Sequence, residues 1–253
     1  MLPSLRLLSL AVVVTLAMNA KADAVAANDA RRDVDLVIAL DVSGSMEGLI
    51  ESAKQRLWDV TNELAQARPA PNLRVAILSY GKPGYGEQAG YVHVDQPFTS
   101  DLDAVNATLF AFVTDGGDEY VARAIQTSLD VLDWSKDTNA LQIVFVAGNE
   151  SVEQDPRLTV ERATAEAARR GIVVNAIYCG GDGDEDARAW RRLATSTNGM
   201  YASIDQNAAA VANVATPFDA PLAALNDEMN KTYIAFGTAG ERGRANQAEQ
   251  DRN

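Results

Sequence analysis

Three oxygen-bearing side chains follow the first long apolar run of the mature sequence at alternate positions. Asp41, Ser43 and Ser45 come directly after the apolar run 34–40. One carboxylate and two hydroxyls are hard oxygen ligands, which suit Mg²⁺, Mn²⁺ or Ca²⁺ better than zinc. Gly44 lets the backbone bend closely around an ion. The pattern predicts part of a divalent-cation site. The alternative is a helix start capped by Ser43 or Ser45, with Asp41 accepting backbone N–H groups.

Two further loops carry oxygen-bearing side chains. One is the segment 115–119, Asp-Gly-Gly-Asp-Glu, and the other is 148–150, Gly-Asn-Glu. The second loop follows the apolar run 141–147, which is typical of a strand buried on both faces. In open parallel sheets, ligands bind beyond the carboxyl ends of the strands, where the strand order reverses. We therefore expect both loops to lie beside Asp41.

The elements that must position these loops alternate between strand-like and helix-like patterns. Strands that alternate with helices of this length predict an α/β fold with a mostly parallel sheet. The segment 91–94 alternates apolar and polar residues, which predicts a short antiparallel edge strand. The predicted strands are 34–40, 73–80, 91–94, 141–147, 172–178 and 199–204, and the predicted helices are 49–67, 100–112, 121–134, 159–170 and 187–195.

The composition is that of a globular protein, and it excludes several kinds of function. The chain is 47% apolar and 23% charged, with a formal net charge of −13. Nucleic acids and anionic membrane surfaces need patches rich in Lys and Arg, so this charge argues against both. A structural zinc site needs about four nitrogen or sulfur ligands. The chain has one His and one Cys, which also excludes an intramolecular disulfide.

The sequence VDLVIAL followed by DVSGSM resembles the von Willebrand factor type A domain and its metal-ion-dependent adhesion site. The resemblance extends over roughly 33–204, and we assign residues 33–215 to the domain. It implies a Rossmann-like, doubly wound sheet of about six strands, mostly parallel, with helices on both faces. The family's site usually holds Mg²⁺ or Mn²⁺. The resemblance therefore implies one divalent cation, Mg²⁺ first and Mn²⁺ or Ca²⁺ as alternatives. It also implies a protein partner that offers an acidic residue to the cation.

The family motif is matched in part. Asp41, Ser43 and Ser45 correspond directly to its Asp-x-Ser-x-Ser signature. Where the family has the Thr of a Gly-Gly-Thr loop this chain has Asp118, and where it has an Asp after the fourth strand this chain has Gly148. One carboxylate is lost and one is gained, so we predict that Asp118 supplies the second carboxylate of the site.

The remaining candidate ligands are Asn149 and Glu150, which we expect to reach the ion through water. On this interpretation, exchanging Asp118 for Thr together with Gly148 for Asp would restore a site of the common family type.

The two ends of the chain have patterns of their own. Residues 1–24 combine Arg6, a short apolar run and small-residue exit sites. This predicts a secretory signal peptide, with an uncleaved anchor as the alternative. Residues 216–237 predict an amphipathic helix packed on the domain, the alternative being a partner-binding helix. Residues 238–253 are polar and are predicted to be disordered. We therefore expect a periplasmic or secreted protein without stable membrane insertion after signal cleavage.

Three hypotheses about function follow. The favoured one is an exported, non-enzymatic module that binds a protein partner through its metal-bearing face. A metal-dependent hydrolase would use the ion to activate water, and His93 is the only histidine that could serve it as a base. The third hypothesis is a metal-free scaffold with a degenerate site, which Gly148 suggests.

Overall fold

A computed structural model describes residues 31–204, which form one sheet with helices on both faces. The strands are β1 (Asp33–Asp41), β2 (Asn72–Tyr80), β3 (Val92–Thr99), β4 (Leu141–Gly148), β5 (Val173–Tyr178) and β6 (Tyr201–Ser203). The helices are α1 (Ile50–Ala65), α2 (Leu102–Phe110), α3 (Val121–Val131), α4 (Val160–Arg169) and α5 (Ala187–Thr195).

The strand order places β1 in the middle of the sheet. The order is β3-β2-β1-β4-β5-β6, with β3 antiparallel to β2 and every other pair parallel. The chain runs outward from β1 to β2 and β3 and then returns past β1 to β4. The strand order therefore reverses between β1 and β4, where such sheets bind ligands. The predicted α/β sheet, mostly parallel with an antiparallel edge strand, is confirmed.

Alternate residues of β1 face two helical layers. Leu36 and Ile38 belong to the apolar core that contains the buried faces of α1 and α2, whereas Val37 and Ala39 belong to the core that contains those of α3, α4 and α5. All four side chains are fully buried. The continuous apolar run is thus a strand covered on both faces, as expected for a doubly wound sheet.

The edge strand β3 is longer than the sequence predicts. It continues past Val94 to Thr99, and its pairing with β2 is irregular between Val75 and Leu78. Pro97 lies within it, which an edge strand tolerates because one side of its backbone needs no partner strand. The following helix α2 lies within the predicted range 100–112 and begins at a cap formed by Asp101.

Three predicted segments lie outside the described residues: the signal peptide 1–24, the C-terminal helix 216–237 and the polar tail 238–253. Over residues 31–204, none of the helices combines the length and the apolar character that crossing a bilayer requires.

A buried lysine connects α1 to the end of α2. The Lys54 side chain is 2% exposed, and its ammonium donates to Glu51 at 2.8 Å and to the carbonyl of Phe112 at 2.6 Å. Hydrogen bonds to charged groups each contribute about 1.5–3 kcal/mol. Lys54→Met keeps most of the stem and removes the donors, so it should lower the free energy of unfolding by about 2 kcal/mol. Urea denaturation measures this effect. The exposed Lys136 provides the control Lys136→Met, and equal midpoints for the two variants would contradict the prediction.

Candidate metal centre

The carboxylate of Asp41 lies at the carboxyl end of β1, at the point where the strand order reverses. Asp41 is 1% exposed, and its Oδ1 accepts the backbone N–H of Ser43 at 2.8 Å. The short 3₁₀ turn Gly44–Met46 follows, and Ser43 makes no side-chain capping hydrogen bond to it. The helix-start alternative is therefore met only for Asp41, because the Ser43 hydroxyl does not cap the turn.

Oxygen atoms from three loops converge on the hydroxyl of Ser45. Its Oγ lies 2.9 Å from Ser43 Oγ, 3.0 Å from Asn149 Oδ1 and 3.3 Å from Glu119 Oε1. The Asn149 amide also donates to the Ser45 carbonyl at 3.1 Å. A serine hydroxyl carries a single proton, so Ser45 cannot satisfy both acceptors at once. We call Asp41, Ser43, Ser45, Glu119 and Asn149 the Ser45 cluster.

The second carboxylate of this cluster comes from Glu119, and not from Asp118 as the sequence led us to expect. Glu119 is 3% exposed and lies beside Ser45, whereas Asp118 is exposed and its carboxylate bonds to the Tyr91 hydroxyl. Backbone contacts explain this orientation. Gly117 lies directly against the carbonyl of Gly81, and the N–H of Glu119 donates to the Gln154 side chain. These contacts turn Glu119 inward.

Glu150 lies next to the cluster without a hydrogen bond to Ser45. Its Oε2 accepts from Gln154 Nε2 at 3.0 Å, and the same nitrogen donates to Glu119 Oε2 at 3.2 Å. Of the two candidates after β4, Asn149 therefore reaches Ser45 directly, and Glu150 is connected through Gln154. Sequence reasoning missed Gln154, because the family motif contains no amide at that position.

The cluster places two carboxyl groups, those of Asp41 and Glu119, away from water. Burial raises the pKa of Asp41 to about 7, against hydrogen bonds from Ser43 that lower it. Burial, and next the charge of Asp41, raises the pKa of Glu119 to about 8. Among the described residues, no Lys, Arg or His forms an ion pair with Asp41, Glu119 or Glu150. A bound cation would supply the missing countercharge.

The spacing of these oxygens fits a hard cation. Metal–oxygen distances of about 2.1 Å for Mg²⁺ and about 2.4 Å for Ca²⁺ place neighbouring oxygens of an octahedral shell about 3.0 and 3.4 Å apart. The distances from Ser45 Oγ to its three neighbours run from 2.9 to 3.3 Å. No group of three or more His, Cys, Asp or Glu side chains within 31–204 is arranged to hold a metal by itself. A cation held here would therefore need the hydroxyls and the Asn149 amide as further ligands.

Gly148 occupies the position where the family motif has its second Asp, and the structure leaves no room there for a side chain. A Cβ atom on Gly148 would lie 2.5 Å from the Tyr80 hydroxyl oxygen and 3.1 Å from the Trp190 ring. Both aromatic side chains are fully buried, and the Tyr80 hydroxyl donates to the Ala147 carbonyl at 2.8 Å. Restoring the common site by Gly148→Asp with Asp118→Thr therefore requires Tyr80 or Trp190 to move, and it stays a prediction.

Even a methyl group at Gly148 should be costly. Gly148→Ala forces Tyr80 or Trp190 to shift in a closely packed region, and such overpacking typically costs about 1–3 kcal/mol. Thermal unfolding of Gly148→Ala is expected to show this loss. Gly183→Ala is the matched control, because a Cβ atom at Gly183 meets open space. Equal melting temperatures for the two variants would show that the Tyr80 contact yields easily.

Comparison with known proteins agrees with this fold. BatB from Bacteroides thetaiotaomicron superimposes with a TM-score of 0.53 at 18% identity, over 69% of this chain and 94% of BatB. The Rpn10 VWA domain gives 0.55 at 13% identity, over 70% of this chain and 90% of that domain. At these identities the similarity concerns the fold. No curated protein sequence matches the chain.

A protein of the mussel byssus has the same fold and a recorded metal. Proximal thread matrix protein 1, in a form with a zinc-occupied MIDAS motif, superimposes with a TM-score of 0.56 at 10% identity. The match covers 70% of this chain, which spans 43% of the mussel protein. The sequence profile of the von Willebrand factor type A domain matches residues 35–217, which is well over half of the chain. The chain therefore belongs to the von Willebrand factor type A domain family.

Proposed function

We propose that this domain binds one divalent cation at the Ser45 cluster and that the surface around the cation binds a protein partner. The observation that supports the cation is the convergence of three side-chain oxygens on the Ser45 hydroxyl, two of them acceptors that compete for its one proton. Asp41 and Glu119 add two buried carboxyl groups, and within residues 31–204 no cationic side chain forms an ion pair with either. A divalent cation relieves both deficits at once.

Mg²⁺ is the ion we propose, with Mn²⁺ and Ca²⁺ as the competing ions. Every candidate ligand is an oxygen atom, and such sets favour hard cations over zinc. Zinc prefers nitrogen and sulfur ligands, and the Ser45 cluster contains no His or Cys. Glu150 adds charge at the edge of the cluster through its hydrogen bond with Gln154.

Calorimetric titration of the chelator-treated protein with Mg²⁺, Mn²⁺ and Ca²⁺ tests the proposal. Ser45→Ala removes the oxygen that all three loops share, and we expect it to weaken binding at least tenfold, on the order of 1.4 kcal/mol. The exposed Ser100 provides the control Ser100→Ala, which should bind as the parent does. A parent protein that binds none of the three ions would overturn the proposal and favour the metal-free scaffold.

A binding function agrees better with the site than hydrolysis does. A hydrolase needs a general base near the ion, and the single histidine, His93, lies on the edge strand β3. There its ring contacts Asp95 at 3.0 Å and stacks on Tyr85. The net charge of −13 favours a protein partner over nucleic acid. An acidic side chain of that partner would be attracted to a coordination position left to solvent.

We further propose that the protein is exported to the periplasm or secreted. The support is the pattern of residues 1–24, with Arg6 before an apolar run and small-residue exit sites after it. N-terminal sequencing of the protein expressed in a bacterial host tests this, and a chain starting near Val25 is the expected result. A cytosolic product that retains Met1 would contradict it.

A further inference from the structure

Gln154 makes three hydrogen bonds to the two glutamates of the site, although it belongs to no recognised motif. It lies in the loop between β4 and α4, where it is half-buried. Its Oε1 accepts the backbone N–H of Glu119 at 3.1 Å. Its Nε2 donates to Glu119 Oε2 at 3.2 Å and to Glu150 Oε2 at 3.0 Å. One amide thus contacts both the backbone N–H and the carboxyl group of Glu119 and also contacts the carboxyl group of Glu150.

We propose that Gln154 is a positioning residue that holds Glu119 as an internal carboxylate ligand of the cation. This inference rests on the cation site proposed above. Gln154 occupies Oε2 of Glu119, and this leaves Oε1 facing Ser45 Oγ at 3.3 Å. The amide therefore selects which oxygen of Glu119 is presented to the ion. Groups that orient a ligand in this way typically change metal affinity by 10- to 100-fold.

The chemistry of the amide explains why a glutamine suits this place. Glu119 and Glu150 are two carboxylates whose side chains face one another, so they repel when both are ionised. An amide NH₂ group has two protons, and Gln154 gives one to each carboxylate. Its carbonyl oxygen remains free to accept the Glu119 N–H. A hydrophobic side chain of the same length would leave Glu119 without any of these contacts.

A carboxylate ligand supplied by the domain itself changes which external ligands the cation can bind. A position that Glu119 fills is closed to a carboxylate of a partner, which would have to displace Glu119 first. Loss of the Gln154 hydrogen bonds frees Glu119 and opens that position. External carboxylate should therefore support cation binding more strongly when Gln154 or Glu119 has been replaced.

Binding of Mg²⁺ to the full chain, measured by calorimetry, tests this inference. Gln154→Met keeps the length of the side chain and removes its polar atoms, and it should weaken Mg²⁺ binding about tenfold. The half-buried Gln126, which donates to Asp130, provides the matched control Gln126→Met, with no expected change. Gln154→Ala serves as a second variant if Gln154→Met fails to fold, as judged by its melting curve in chelator.

A double-variant cycle shows whether Gln154 acts through Glu119. In a Glu119→Gln background the internal ligand is already gone, so adding Gln154→Met should weaken Mg²⁺ binding no further. A merely structural role would give the same loss in both backgrounds and would overturn the inference. Equal Mg²⁺ affinities for Gln154→Met and the parent would overturn it as well.

Sodium acetate is the probe for an external carboxylate, with sodium chloride at equal ionic strength as the control. Acetate should tighten Mg²⁺ binding by Gln154→Met more than it tightens binding by the parent. If acetate tightens Mg²⁺ binding by the parent as strongly as by Gln154→Met, Glu119 is not an internal ligand. That result would leave the proposed cation site standing. A parent that binds no Mg²⁺, Mn²⁺ or Ca²⁺ overturns the proposed function and this inference together.

Discussion

Replacing Asp41 with Asn should stabilise the protein in chelator at pH 8 and destabilise it relative to the parent when Mg²⁺ is present. In chelator, the parent must keep a buried carboxylate ionised above its pKa of about 7, against an ordinary value of 3.8. That difference corresponds to roughly 4 kcal/mol. Asn carries no charge and retains the oxygen that accepts the Ser43 N–H. The variant should therefore unfold at a higher urea concentration than the parent.

Mg²⁺ should reverse this order because it binds only to the parent. A ligand at a thousandfold excess over its dissociation constant stabilises the native state by about 4.1 kcal/mol, so the order should reverse above that excess of Mg²⁺. Asp41→Asn loses the anionic ligand and should gain nothing. Asp118→Asn is the informative control: its carboxylate bonds to Tyr91, so it should keep the full Mg²⁺ effect. Loss of that effect in Asp118→Asn would return Asp118 to the cation site.

The fold could be predicted because its signals are local. The run 34–40 has no polar interruption other than Asp35, and burial on both faces of a central strand is the arrangement that satisfies it. The end of α3 was harder to predict. Leu132 and Trp134 continue the apolar pattern of the helix, yet Leu132 is already extended, with ψ of 142°. Both side chains pack on the core although their segment is extended. The apolar residues therefore keep a helix-like spacing beyond the residue at which the helix ends.

Only those residues of the candidate site whose positions follow from the pairing of the strands could be predicted. Asp41, Ser43 and Ser45 follow one strand, and Asn149 follows its neighbour, so the sheet alone brings them together. The choice between Asp118 and Glu119 depends on the direction of one side chain. That direction is set by Gln154, which lies 35 positions later in the chain. No pattern within the loop contains this information.

The absence of an Asp at position 148 also has a cause that the motif does not show. Tyr80 ends β2 and Trp190 lies in α5, and together they fill the space that a side chain at 148 would need. Counting carboxylates therefore predicted that the charge of the site was conserved. It could not predict that two aromatic residues from distant parts of the chain fill the space that the family's second Asp would need.

The stability of the cation-free protein should fall as the pH rises from about 5 to 8. The pKa values of Asp41 and Glu119 are raised to about 7 and about 8 from ordinary values of 3.8 and 4.5. Between the ordinary and the raised values, the folded protein holds protons that the unfolded chain has released. Stability decreases with pH wherever the folded state binds more protons. The stabilisation is thus complete below pH 4 and lost above pH 8.

Urea denaturation at several pH values in chelator measures this slope, and the Asp41→Asn, Glu119→Gln double variant provides its control. The slope should be clearly flatter in the double variant, because its two amides do not titrate. Arg169 and Arg170 lower the pKa of Glu166 to about 2. Glu166 therefore changes stability only below its ordinary pKa of 4.5, outside the range from pH 5 to 8. The pH dependence of Mg²⁺ binding should be the opposite, because Mg²⁺ and protons compete for the same two carboxylates. The affinity for Mg²⁺ should rise from pH 6 to 8 and then level off. Parallel slopes of stability against pH for the parent and the double variant would show that Asp41 and Glu119 do not cause the pH dependence.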